Sequence, residues 1–84
     1  MRFTVTWKPS AEQELARIWI SAADRQAVRK AADALEMHLK KDPLSVGESR
    51  SGKLRIAFYK PLAFHFQVLE DDVLVQVLEV WRTA

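Results

Sequence analysis

Between Lys53 and Trp81 the chain holds three strand-length runs set almost end to end: Lys53 to Lys60, Leu62 to Leu69 and Val73 to Trp81. All three are rich in β-branched and aromatic residues, and turn residues bound each. In the first, Leu54, Ile56 and Phe58 alternate with Lys53, Arg55, Ala57 and Tyr59. The expectation is that the former set faces a core and the latter faces out. In the second, Leu62, Phe64, Phe66 and Val68 oppose Ala63, His65 and Gln67, and Glu70-Asp71-Asp72 supplies a hairpin turn. The last run is apolar on both faces except at Gln76 and Glu79. A strand of that kind belongs in the middle of a sheet.

The first half supplies one more strand and two helices. Met1, Phe3, Val5 and Trp7 alternate with Arg2, Thr4, Thr6 and Lys8, a half-buried strand that Pro9 should stop. Ser10 and Gln13 have capping-box spacing, so the first helix is expected to start there. Its apolar stripe is Ala11, Leu15, Ile18, Trp19 and Ala22. Asp24 suits the N-cap of a second helix running to about Lys41, with Val28, Ala31, Ala32, Leu35 and Leu39 as its stripe. Asp42-Pro43 forbids continuation, and the segment from Asp42 to Gly52, with both glycines, reads as a loop.

The order is therefore β-α-α-β-β-β, an α+β fold. A helical hairpin packs on one face of a small, mostly antiparallel sheet, and the first strand lies beside the last. The 84 residues form a single domain, 1–84. No cysteine is present, which excludes a disulfide framework and a thiolate metal site. The first ten residues lack the apolar core of a signal peptide, and no apolar run reaches membrane-span length. A soluble cytoplasmic protein is expected, with no cofactor and no metal.

Thirteen basic and eleven acidic residues leave a formal charge of only +2. The distribution says more: from Lys40 to Lys60 six cations face two carboxylates, a local +4. The uncovered sheet face is expected to collect Lys53, Arg55, Tyr59, His65 and Arg82, with Arg50 and Lys60 close by. Cationic and aromatic groups on one surface suit a phosphate backbone. Each also has a plainer reading. Lys53 and Arg55 serve equally to solubilise an edge strand, Tyr59 to lid the core, and His65 as a structural histidine. His38 reads as packing or solvent-facing, and Trp7, Trp19 and Trp81 as core or rim packing.

The opening FTVTWKPSAEQELARIW, the connector DPLSVGESRSGKLRI, the strand FHFQVLEDDVLV and the closing VLEVWR together resemble toxins of the RelE/ParE superfamily of type II toxin–antitoxin systems, a plasmid-stabilisation type of protein. The resemblance covers nearly the whole chain. It implies a concave sheet, and in nuclease members that surface binds messenger RNA on the ribosome and cleaves it without metal. ParE-like members instead inhibit DNA gyrase. Both are neutralised by a cognate antitoxin, lodged in apolar grooves beside the helical hairpin or added to the edge of the Lys53–Lys60 strand. Three mechanisms stay open: a ribosome-dependent endoribonuclease with a weakened or altered site, a non-enzymatic gyrase inhibitor, and a catalytically silent binding module.

For the nuclease, metal-free cleavage needs an acid/base group and cations for the developing charge. His65 is the acid/base candidate, with Arg55 and Arg82 as its catalytic partners. Arg50, Lys53, Tyr59 and Lys60 are the nucleic-acid-binding candidates. Two positions depart from the nuclease pattern. Ala63 stands where an arginine is expected, and Trp81, which exchanges no proton, replaces a histidine or tyrosine. Thr83 and Ala84 are expected to add no further groups.

Overall fold

A computed structural model describes residues 2–83. Strand β1 (Thr4–Trp7) leads into helix α1 (Pro9–Ser21), helix α2 (Arg25–Lys41) and a 3₁₀ turn (Pro43–Ser45). Strands β2 (Glu48–Ser51), β3 (Leu54–Tyr59), β4 (Leu62–Leu69) and β5 (Leu74–Arg82) follow. They form a five-stranded sheet in the order β1-β5-β4-β3-β2, with both helices on one face. Strand β1 runs parallel to β5, and the other pairings are antiparallel. No helix among the described residues is long and apolar enough to cross a membrane.

Pro9 does not end β1 so much as begin α1. It occupies the first helical turn, where its missing N–H costs no helical bond, and the N-cap position falls to Lys8 rather than Ser10. The second helix behaves as its stripe requires, with Val28, Ala31, Leu35 and Leu39 buried. These meet Phe64, Phe66, Val75 and Val77 in the core. The apolar N-terminal alternation also holds, because Phe3, Val5 and Trp7 pack against that cluster. Trp7 stacks edge-on against Phe64 and donates its indole N–H to Glu36 over 2.9 Å. Trp19 departs from its stripe and stays 42% exposed.

Strand β5 lies between β1 and β4 as its apolar character demands, while the centre of the sheet is β4. A bulge explains its two-faced pattern. His65 and Phe66 oppose Glu79 and Val77, leaving Leu78 as the extra residue. The shift lets Val75, Val77 and Val80 all reach the core, where strict alternation would have placed Glu79.

Two further expectations are corrected. The Asp42–Gly52 segment is not all loop, because Glu48–Ser51 forms β2 and pairs with β3. Every residue of β2 is exposed, so backbone bonding alone holds it and no apolar pattern marks it. The Lys53–Lys60 strand therefore has no free edge alongside β2. The second correction concerns the faces of β3, which are reversed. Ala57 pairs with Phe64 and is buried in the helix-side core, and Tyr59 packs beside it. A small residue at 57 lets α2 approach. Ile56 pairs with His65 and Phe58 with Ala63, on the helix-free face.

Candidate functional site

The reversal separates residues expected on one surface. Arg55 pairs with the core residue Phe66, so it points to the helix side. Its guanidinium donates to the carbonyls of Val46 and Gly47 at 3.1 and 3.3 Å, which clamps the connector after α2 onto the sheet. Gly47 sits at φ 65°, and a Cβ there would collide with the Ile56 carbonyl. Glycine is required where the connector touches β3.

Arg82 also faces the helix side, opposite the buried Leu62. It donates to Asp24 at 2.8 Å. Asp24 takes the N-cap position of α2 as expected, yet its carboxylate makes no capping bond and serves Arg82 instead. That hydrogen bond holds the Asp24 carboxyl below the ordinary range and pushes Arg82 up. Arg25 beside it donates to the carbonyls of Trp19 and Ile20 and lies 4.9 Å over the Trp19 ring.

His65 alone of the three candidate catalytic residues lies on the helix-free face. Its Nδ1–H donates to Glu79 at 2.8 Å, and its ring lies 4.9 Å from that of Trp81. The expectation that Arg55, His65 and Arg82 share one surface is therefore overturned. Tyr59 faces the helices too. Its phenol shares a 2.7 Å hydrogen bond with His38 Nδ1, and burial pushes its pKa up. Arg50 is exposed in β2, Lys53 in the turn before β3 and Lys60 in the turn after it. Among the described residues, none of these three makes an ion pair.

Sequence reasoning missed the partners: Asp24 for Arg82, Glu79 for His65 and His38 for Tyr59. The sequence marks Asp24 for capping, Glu79 as a polar exception in the last strand and His38 as packing or solvent-facing, and none of them as a partner. A second feature is the groove of about 400 Å³ between the outer sides of the helices. Leu15, Ala16, Trp19, Ile20, Val28 and Ala32 line it, with Glu12, Arg29 and Asp33 at its rim. Ile20 is 63% exposed there. With Trp19 beside it, the groove presents two large apolar side chains to solvent.

No protein-family description matches the chain, and no curated protein matches it. Solved structures do. A chain of the toxin–antitoxin complex RelBE2 from Mycobacterium tuberculosis superposes with a TM-score of 0.82 at 16% identity, covering 100% of this chain and 94% of that one. The chromosomal ParDE system of P. aeruginosa gives 0.72 at 16% identity, over 99% of this chain and 98% of the other. A mutant of the E. coli toxin RelE in the free state gives 0.71 at 15%, over 98% and 84%. The fold, two helices on a five-stranded mixed sheet, is shared with these three structures.

Proposed function

We propose that this chain is the toxin-like component of a type II toxin–antitoxin pair, one that disables a macromolecular target by binding it and is silenced by a cognate antitoxin. The fold shared with RelBE2, ParDE and RelE supports the toxin-like role. The observation that carries binding over cleavage is the dispersal of Arg55, His65 and Arg82. Metal-free phosphodiester cleavage needs acid, base and cation aimed at one phosphate. Here His65 is across the sheet from both arginines, one of which grips backbone carbonyls and the other a carboxylate. Ala63 and Trp81, where the nuclease pattern has proton- or charge-bearing groups, support the same reading.

The antitoxin docks in the groove between α1 and α2, where an amphipathic helix would cover Trp19 and Ile20. The test is controlled expression with sequencing of RNA ends and a parallel readout of DNA damage. The expected result is growth arrest with intact messages, relieved by co-expression of the adjacent open reading frame. Ile20→Ser should leave arrest in place and abolish that relief. Messages cut on the ribosome, with cutting lost in Arg55→Ala and in His65→Ala, would overturn the binding reading.

A further inference from the structure

We propose that the helix-free face of the sheet docks an arginine side chain presented by a partner polypeptide, held against Phe58 and Trp81 and paired with Glu79. This surface lies across the sheet from the helical groove and is independent of the toxin reading.

Register aligns Phe58, Ala63 and Trp81 in one row across β3, β4 and β5, and Ile56, His65 and Glu79 in the next. Ala63 and Ile56 are buried, whereas Phe58 is 59% exposed. The floor of the patch is thus closed and its aromatic rim is open. Aromatic side chains at such a position are typical anchors for a partner. The Glu79 side chain is 67% exposed. Its Oε1 accepts from His65, which fixes the aim of the carboxylate and leaves the second oxygen for an incoming donor.

Charge selects the occupant. With Arg55 and Arg82 turned to the other face, Glu79 is the one charged side chain that β3, β4 and β5 place on this one. Lys53 and Lys60 stand in the turns beyond the strand ends. Glu48 of β2, opposite Ile56, adds a second carboxylate at the far end of the same row, and carboxylates among apolar and aromatic groups repel a phosphodiester and favour a cation. Between the two basic side chains, guanidinium fits better. It is planar and weakly hydrated, so it lies on a ring face while its N–H fork meets the carboxylate.

The test is an NMR titration of the ¹⁵N-labelled full chain with the peptide acetyl-Gly-Ala-Arg-Ala-Gly-amide, and with its counterpart carrying neutral citrulline for arginine. The arginine peptide should shift the Trp81 indole N–H and the amides of Phe58, Ala63 and Glu79, leaving the indoles of Trp7 and Trp19 in place. Citrulline, Glu79→Gln and Phe58→Ala should each weaken binding about two- to fivefold. Both replaced side chains are exposed, and retained amide dispersion verifies that the variants fold. Equal binding of the citrulline peptide would overturn the proposal, as would absence of these shifts up to the peptide's solubility limit. So would a single-stranded uridine oligonucleotide that moves the same resonances at lower concentration.

Discussion

Replacing Arg55 distinguishes a structural clamp from a phosphate-binding cation. The guanidinium makes two hydrogen bonds, to Val46 and Gly47, from a half-buried side chain. Each is worth about 0.5–1.5 kcal/mol net, and the carbonyls freed in Arg55→Ala can turn to water, so little desolvation penalty is added. The expected loss is about 1–3 kcal/mol. With a urea slope of about 1 kcal/mol/M for a small domain, the midpoint should fall by about 1–3 M. Arg55→Lys, with one head group and no fork, should fall between the two. The assay is equilibrium unfolding followed by tryptophan fluorescence and by far-UV circular dichroism, which should coincide. If Arg55→Ala unfolds at the native urea concentration, the clamp contributes nothing and the assignment of Arg55 to structure is wrong.

Other expectations follow from single contacts. Gly47→Ala should cost about 1–3 kcal/mol, through positive φ and a collision with the Ile56 carbonyl. Gly52→Ala, with φ 57° and open space around it, should cost about 1 kcal/mol; a thermal melt of both variants ranks them. Asp24 has a depressed folded pKa, so its contribution is present above the ordinary carboxylate range and lost as pH falls through the folded value. Asp24→Asn should therefore flatten the acid limb of a stability–pH curve, and an unchanged limb would contradict the Arg82 contact. Tyr59 is the single tyrosine, so absorbance in the phenolate band reports it alone. Its titration should lie above pH 10 in the folded protein and return to the ordinary value in urea. Tyr59→Phe should lose about 1 kcal/mol with the His38 hydrogen bond.

The helices, β4 and the pairing of the first strand with the last were legible because apolar spacing and burial agree. Val28, Ala31, Leu35 and Leu39 recur at helical intervals, and Phe64, Phe66 and Val68 at intervals of two. What alternation does not carry is an absolute sense of up and down. On β3 each face can be buried: one set offers Ile56 and Phe58, the other Ala57 and Tyr59. The choice was made by α2, which approaches closely over Ala57, and no local pattern in β3 encodes that distance. With the faces reversed, the candidate site dissolves, since parity alone groups its members. Strand β2 was illegible for a different reason. Glu48, Ser49, Arg50 and Ser51 bury nothing and are recruited by the unpaired backbone of β3.

The N-terminal strand has one strand partner, and it is supplied last. Thr4 to Trp7 bond to Leu74 to Val77, which the ribosome makes after both helices and three other strands. During synthesis the first few residues must wait unpaired until the chain is nearly complete. A nascent or truncated form thus leaves β1 without its strand partner, and the sheet closes only after the final strand has left the exit tunnel.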